Sequence, residues 1–240
     1  MSGTVGVRCT PVKPSVREER MPARREQLNR DRVLAAAVAL ADAEGADAVS
    51  MRGLAQRLGV VPMALYKHVA NKDELLDGMI DAVVLEIEAP VDGLDWRSAV
   101  RRRILSARTV LLRHPWARRA MESKTTPTPI VLAYMDSTIG IFLGGGLSVD
   151  LTHHVMHALG SRIYGFTQEL YDTTPAIEIP PEVAQFMAMQ FPNIVAVVTS
   201  SPHDPGSVVG PGCDDQFEFE FTLDLFLDGV ERLHHKGWHS

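Results

Sequence analysis

The sequence predicts an all-α protein in which a small N-terminal helical domain precedes a larger helical body. Apolar residues recur every three or four positions through most of the chain, which is typical of amphipathic helices. Prolines and glycines separate these periodic segments at intervals that suit helices of roughly 8 to 20 residues. The length of 240 residues exceeds that of one three-helix module and leaves a body of about 150 residues.

The segment from Met51 to Lys72 has the pattern of two short helices joined by a tight turn. Apolar residues at helical spacing stop at Gly59, where a left-handed residue ends a helix, and Pro62 stands where a new helix begins. Ala55, Gly59 and Leu65 fall where a helix-turn-helix needs a small residue, a turn residue and an apolar anchor. The spacing indicates a DNA-binding helix pair, although ordinary helical hairpins share it.

Side chains of this segment are expected to divide between reading bases and binding phosphates. Ser50 can cap the first helix, and Arg52 can project toward a phosphate or a guanine. Side chains at the start of the second helix can approach base edges in the major groove, whereas later ones reach phosphate oxygens. The predicted DNA contacts are Ser50, Arg52, Pro62, Met63, Ala64, Tyr66, Lys67, His68 and Lys72.

The distribution of charge supports this interpretation. Residues 1–72 contain 12 Lys and Arg against 7 Asp and Glu, a net charge of +5, whereas the remainder carries a net charge of −11. A basic N-terminal third on an acidic body is expected when only one part meets phosphate. Some of the basic residues belong to a leader, residues 1–28, that we expect to be a disordered arm.

Composition also excludes several classes of protein. No run of 18 apolar residues exists, and residues 1–28 lack the apolar stretch of a signal peptide, so we expect a soluble cytoplasmic protein without membrane contact. Cys9 and Cys213 form neither a disulfide framework nor a metal-binding spacing. No cofactor is expected.

The segment from Asn29 to about Glu88 resembles the DNA-binding domain of the tetracycline-repressor family. The resemblance is carried by an apolar-striped first helix and by the runs MRGLAQRLGV from residue 51, LYKHV from residue 65 and NKDELL from residue 71. It implies that Tyr66, His68 and Lys72 contact phosphates and that Arg52 and positions 62–64 lie nearest the bases. This chain departs from the family pattern at Gly53, where a better helix former is common, and at Val61-Pro62-Met63, which offers few hydrogen-bonding groups.

The body is expected to be helical as well. Its prolines and glycines predict helices near 71–87, 96–114, 115–121, 149–169 and 182–191, another from Pro129 to the glycine break at 144–146, and a loop from Ser200 to Gly212. The last segment is ambiguous, because its apolar residues fit a strand period of two and a helix period of 3.5. We favour a helix, since a strand there would lack a partner of similar strength. The expected domains are the arm at 1–28, the helix-turn-helix domain with its connecting helix at 29–88 and a ligand-binding and dimerisation domain at 89–240.

The resemblance extends more loosely to the body and implies a homodimer. Leu147–Glu169 and the final helix are similar to the paired helices through which this family dimerises. Two recognition helices related by a two-fold axis would read half-sites about 34 Å apart, so a palindromic double-stranded DNA operator is expected. The apolar faces of Val149–Gly165 and Phe219–Leu233 are candidates for the interface, but they could equally pack inside one chain.

The resemblance further implies that the body binds an unidentified small-molecule effector. Aromatic and polar residues on its predicted helices are the candidate contacts: Trp116, Met121, Tyr134, Arg162, Tyr164, Phe166 and Glu169. Glu88 stands where the tetracycline-binding members carry a metal-chelating histidine, so an effector other than magnesium-tetracycline is expected. The function implied is that of a repressor released from DNA by its effector.

Other interpretations of the sequence are weaker. His153 and His157 lie one helical turn apart but lack a third metal ligand, and the triple glycine at 144–146 lacks the Lys and Ser or Thr of a phosphate-binding loop. A small helical enzyme would need a nucleophile, a base and an orienting residue, and spacing assembles none. A DNA-binding regulator without an effector remains an alternative.

Overall fold

The computed structural model describes residues 27–165, 180–200, 203–204 and 212–240, and side chains are not described for 161–165, 197–200, 203–204 and 212–213. The helices are α1 (Arg30–Glu44), α2 (Met51–Leu58), α3 (Pro62–Leu65), α4 (Lys72–Leu85), α5 (Trp96–Arg113), α6 (Pro115–Glu122), α7 (Pro129–Gly144), α8 (Val149–Gly165), α9 (Pro181–Gln190), α10 (Pro192–Ser200) and α11 (Asp215–His235). A 3₁₀ turn, Ala46–Ala48, follows α1. Two-residue strands β1 (His203–Asp204) and β2 (Gly212–Cys213) pair antiparallel.

The all-α fold predicted from the sequence is confirmed. Helix boundaries in the first two thirds of the chain agree closely with the predicted ones, because prolines and side-chain caps fix where the helices begin. Pro115 and Pro129 begin α6 and α7, while Asp95 caps α5 by accepting a hydrogen bond from the Ser98 amide at 3.0 Å. The prediction missed α10 and the two-residue strand pair.

The buried apolar side chains of the described residues form two hydrophobic cores. The first lies under α1 to α4 and continues into the end of α5 and α6, through Val110, Leu111 and Trp116. The second joins the first half of α5 to α7, α8 and α11 around Phe142, which is fully buried. Helix α5 therefore contributes to both cores and links the N-terminal helices to the body.

Ion pairs join α5 to α11 along the second core. The Arg101 guanidinium lies 2.6 Å from Glu220 and 2.8 Å from Asp224, and Arg97 pairs with Glu231 at 3.1 Å. Asp224 and Glu220 raise the pKa of Arg101, chiefly through the hydrogen bond that Asp224 accepts from its guanidinium. The basic face of α5 is thus matched to an acidic face of α11.

The triple glycine interrupts the helical chain between α7 and α8. Gly144 is the last residue of α7, and Gly146 has a φ of +85°, a left-handed conformation. Gly145 packs so closely on α5 that a Cβ there would lie 2.4 Å from Cβ of Trp96. A side chain at this position would force α7 away from the second core.

Candidate DNA interface and its junction with the body

The turn between α2 and α3 depends on a cap and a left-handed glycine. Ser50 Oγ accepts a hydrogen bond from the Gly53 amide at 3.1 Å, which confirms the predicted cap. Gly59 has a φ of +66°, and the Val60 amide after it donates to the Ala55 carbonyl at 3.0 Å. This hydrogen bond closes the end of α2 in the manner of a Schellman motif. The chain is thereby redirected into α3.

Buried residues hold the helix pair on the first core. Leu54, Ala55, Leu65 and Val69 are each at most 1% exposed and pack against α1 and α4. Leu65, the expected apolar anchor, therefore faces inward, and so does Val69 four residues later. Their burial leaves the opposite face of α3 and of the turn after it in solvent.

The residues predicted to contact DNA form this solvent-facing surface, which we call the reading surface. Met63 is 70% exposed and Tyr66 is 44% exposed. Of the nine residues, seven are exposed and two are half-buried: Ser50, Arg52, Pro62, Met63, Tyr66, Lys67 and Lys72 in the first group, and Ala64 and His68 in the second.

The reading surface is cationic. Within the part of the chain that the structure describes, Arg52, Lys67 and Lys72 form no ion pair with a carboxylate. Their charges are therefore available to an external anion. Phosphate groups of a nucleic acid are the natural partner for cations spread over a protruding helix pair.

Helix α4 begins at the end of the reading surface, and two reciprocal hydrogen bonds cap its N-terminus. Asn71 Oδ1 accepts from the Glu74 amide at 2.8 Å, and Glu74 Oε2 accepts from the Ala70 amide at 2.6 Å. Together these reciprocal bonds fix the start of α4, as in a capping box, although Glu74 here accepts from the amide that precedes the N-cap residue Asn71. Movement of α4 would therefore carry the reading surface with it.

Gly78 of α4 was not singled out by the sequence analysis, yet it sets the distance between α4 and α1. A Cβ at this position would lie 2.6 Å from a methyl carbon of Leu34 on α1. A glycine inside an otherwise regular helical pattern is the signal that could have indicated close packing.

A buried histidine joins α1, α4 and the body. His114, between α5 and α6, is 4% exposed, and its Nδ1 lies 2.8 Å from Asp42 Oδ1 on α1. Its Nε2 lies 3.3 Å from the carboxylate of Glu86 at the end of α4. The Trp116 indole N–H donates to Asp42 at 2.6 Å. We call this set the junction, and it ties the reading domain to the body at the edge of the first core.

Further contacts attach α4 to the body along its length. Lys124, just after α6, lies 2.7 Å from Asp77 of α4, and Thr128 at the start of α7 donates to Asp81. Beyond α4, Arg102 lies 2.7 Å from Glu88 and holds the pKa of that carboxyl below its usual range by donating a hydrogen bond. Helix α4 is therefore positioned by the body rather than by the reading domain alone.

The residues predicted to contact an effector are not brought together at one described cavity. Trp116 is buried in the junction, and Met121 is half-buried against the first core. Tyr134 is half-buried, and its ring lies under the Arg103 guanidinium at 4.4 Å. The side chains of Arg162 and Tyr164, and all of Phe166 and Glu169, lie outside the described residues.

The histidines of α8 form ring contacts. His153 and His157 have ring centroids 4.7 Å apart, and His153 and His154 have centroids 5.2 Å apart. In the described parts of the chain, no three His, Cys, Asp or Glu side chains are grouped to hold a metal ion. Among those same residues, no helix is both long and apolar enough to span a membrane.

These observations define a class of protein: a helix-turn-helix DNA-binding protein whose reading domain is fixed to a helical body through α4. The sequence profile described as "Bacterial regulatory proteins, tetR family" matches residues 33–79. The profile described as "Tetracyclin repressor-like, C-terminal domain" matches residues 89–234. Both halves of the chain thus match the same family.

Individual proteins agree with the profiles. The HTH-type transcriptional repressor DrrR1 of Streptomyces coeruleorubidus is 31% identical over 214 residues, which span 86% of this chain and 78% of DrrR1. The tetracycline repressor protein class G of Vibrio anguillarum is 27% identical over 212 residues, 86% of this chain and 95% of that protein. ActR of Streptomyces coelicolor, solved in complex with (S)-DNPA, is 27% identical, with a TM-score of 0.64 over 87% of this chain and 99% of ActR.

The chain belongs to the tetracycline-repressor family. This confirms the resemblance seen in the sequence and the prediction of a ligand-responsive, DNA-binding transcriptional repressor.

Proposed function

We propose that the protein binds a palindromic double-stranded DNA operator as a homodimer and leaves it when a small-molecule effector binds the body. The observation that carries the DNA part is the reading surface, where Arg52, Lys67 and Lys72 project from a helix-turn-helix without carboxylate partners among the described residues. The nine predicted contacts are its proposed DNA-binding residues. The domain limits proposed are those expected from the sequence, at 1–28, 29–88 and 89–240.

The outer face of α11 supports a dimer. Phe217, Phe221 and Leu225 lie one turn apart on this helix and are 62%, 52% and 56% exposed. Phe217 and Phe221 stack with ring centroids 6.3 Å apart. Large apolar side chains in a continuous exposed stripe favour a protein interface. The stripe through Phe219 and Leu223, which the sequence offered as an interface, packs instead in the core of its own protomer.

Two copies of one reading domain have a physical advantage over one. A single recognition helix contacts few base pairs, whereas a two-fold dimer places two of them in successive major grooves. The proposed operator is therefore an inverted repeat whose half-sites lie one helical turn, about 34 Å, apart.

The effector is proposed to act through α4. Tyr134, Met121 and Trp116 remain candidate contacts because all three pack in or against the first core, to which α4 also contributes, and Arg162, Tyr164, Phe166 and Glu169 remain candidates by resemblance. Any effector must bind the DNA-incompetent arrangement more tightly than the competent one, since equal affinity for both arrangements shifts nothing. We further propose that the protein is cytoplasmic and acts without catalysing a reaction.

Selection of bound sequences from a random duplex pool by the purified full chain tests this proposal. We expect enrichment of an inverted repeat and a complex containing two protomers. Enrichment of a single half-site, bound by one protomer, would contradict the dimeric mode. Binding without any enrichment would contradict an operator-specific repressor.

A further inference from the structure

Helix α5 concentrates positive charge in an otherwise acidic body. Residues 73–240 carry 12 Lys and Arg, and six of them lie on α5, which has no Asp or Glu. Two of the six, Arg97 and Arg101, pair with α11. Two others, Arg102 and Arg113, pair with carboxylates at the end of α4. A cationic helix thus directly contacts the segment that positions the reading domain.

A groove of about 690 Å³ runs along the outer face of α5 beside the end of α4. Its volume lies within the range of small-molecule sites. Its lining combines three arginines, two carboxylates, three hydroxyls and two aliphatic side chains: Arg101, Arg102, Arg113, Glu86, Glu88, Ser98, Ser106, Thr109, Leu105 and Val110. We call it the α5 groove. Of the suggested effector contacts whose side chains the structure describes, Trp116, Met121 and Tyr134, none lines this groove.

The ion pairs in the α5 groove are open to competition. Arg102 pairs with Glu88 at 2.7 Å while both side chains are about half exposed, and Arg113 pairs with Glu86 at 2.6 Å in a similar setting. Exposed pairs of this kind contribute little to stability, because water solvates the separated charges well. A ligand carboxylate could therefore replace a glutamate at an arginine, and the planar guanidinium suits a bidentate carboxylate.

A buried guanidinium adds positive charge beneath this end of the groove. Arg103 is 5% exposed, and its donors go to Thr138 Oγ1 at 2.9 Å, Ser137 Oγ at 2.6 Å and the carbonyl oxygens of Glu88 and Tyr134 at 2.8 and 3.3 Å. All four acceptors are uncharged groups. Burial lowers the pKa of Arg103, because desolvation disfavours the charged guanidinium.

Glu88 links the α5 groove to α4. Its side chain meets Arg102, its carbonyl accepts from Arg103, and its amide donates to Ser106 Oγ at 2.9 Å. Glu88 follows the last residue of α4, Leu85, by three positions. Displacement of its carboxylate would therefore alter one of the contacts that hold the end of α4 against α5.

We propose that the α5 groove binds an organic acid, whose carboxylate takes the place of Glu88 at Arg102, and that this acid is an effector acting at a second site, apart from the candidate contacts named above. The inference rests on the proposed function, since it adds a ligand class and a site to the same regulator. Leu105, which is half-buried, provides apolar surface for the carbon skeleton of the acid, and the hydroxyls of Ser98, Ser106 and Thr109 provide hydrogen bonds for its substituents.

Calorimetric titration of the full chain without DNA tests the site. The probes are aryl carboxylates of one to four fused rings, each compared with its primary amide, which has the same shape and no charge. We expect acids to bind more tightly than their amides, and Arg102→Gln to weaken the acid by about tenfold or more, as for a lost charged hydrogen bond. Arg232→Gln on α11 is the matched control, because Arg232 is exposed and lies outside the groove. It should leave the affinity unchanged.

Glu88→Gln gives the opposite result if Glu88 competes with the ligand. The acid should then bind several-fold more tightly, because the competing carboxylate has gone. Weaker binding to Glu88→Gln would instead identify a cationic ligand and would overturn the proposal. No acid preferred over its amide, or a preference unchanged in Arg102→Gln, would overturn it as well.

A second titration separates this inference from the proposed function. Operator affinity of the ligand-free protein tests the function alone, whereas release of operator by the bound acid tests the acid as effector. An acid that binds the groove but leaves operator affinity unchanged would overturn its role as effector. Release of operator that Arg102→Gln prevents and Arg232→Gln permits is the expected result.

Discussion

The same substitution, glycine to alanine, should have opposite effects at Gly59 and at Gly140. Gly59 has a φ of +66° in the turn before α3, whereas Gly140 lies within α7 with helical neighbours, and a Cβ would meet no atom within 4 Å at either position. Steric room is therefore equal at the two sites. Only the backbone conformation differs.

The magnitudes follow from that difference. An alanine in the left-handed region costs roughly 1–2 kcal/mol, partly offset by about 0.4–1 kcal/mol of lost freedom in the unfolded chain, so Gly59→Ala should destabilise by about 1 kcal/mol. In an exposed helix interior, alanine is better than glycine by about 1 kcal/mol, so Gly140→Ala should stabilise by that amount. The two variants should differ by about 2 kcal/mol.

Urea unfolding followed by far-ultraviolet circular dichroism measures both changes. Protomer concentration must be equal in all samples, because the stability of a dimer depends on concentration. Equal shifts of the same sign in the two variants would refute the assignment of a left-handed turn at Gly59. Gly59→Ala should also weaken operator binding, because the turn orients α3.

Three further predictions concern DNA binding, the junction and pH. Lys72→Ala should weaken binding to operator and to random duplex alike, and it should reduce the slope of log affinity against log salt concentration by about 1. Arg52→Ala should instead lose more affinity for operator than for random duplex. Anisotropy titrations measure both effects. Trp116→Phe should lower the free energy of unfolding by about 1.5 kcal/mol, because the Asp42 carboxylate loses the hydrogen bond from the Trp116 indole N–H. Arg102 lowers the pKa of Glu88 in the folded state. The stabilising effect of the ionised Glu88 carboxylate is therefore fully present above its unfolded-state pKa of about 4.3, and it is lost as the pH falls through the lowered folded-state pKa. Unfolding curves of Glu88→Gln should therefore depend less on pH in that acid range than those of wild type.

Local signals made the reading domain predictable. Ser50, Gly59, Pro62 and Asn71 each act through neighbours within a few residues, so their roles can be inferred from short stretches of sequence. The buried positions Leu65 and Val69 likewise follow from helical spacing. These devices explain why the helix-turn-helix and the start of α4 agree with expectation.

The final helix shows why its sequence pattern was ambiguous. Residues two apart on a helix point about 200° apart, so apolar residues at alternate positions can lie on two nearly opposite faces. Phe219, Leu223 and Leu227 face the protomer's core, while Phe217 and Phe221 face outward. A helix with two apolar faces therefore imitates the period of a strand.

Long-range contacts could not be predicted from one sequence. His114 and Asp42 are 72 residues apart, and Arg103 meets Thr138 across two helices. Trp116 was expected at an effector site by its aromatic character alone, whereas its position in the junction depends on how α6 packs against α1. Helix α10 was missed because Ile194, Val195 and three of the four residues after them are β-branched and have low helix propensity.

Charge reversal on the reading surface is the most direct test of the account. Lys67→Glu places an acid beside the proposed phosphates, and Lys236→Glu makes the same change at an exposed position just after α11. Anisotropy titrations of the selected operator should show at least about a tenfold loss of affinity for Lys67→Glu and wild-type affinity for Lys236→Glu. Equal affinities for the two variants would contradict the claim that the helix pair of α2 and α3 is the surface that binds DNA.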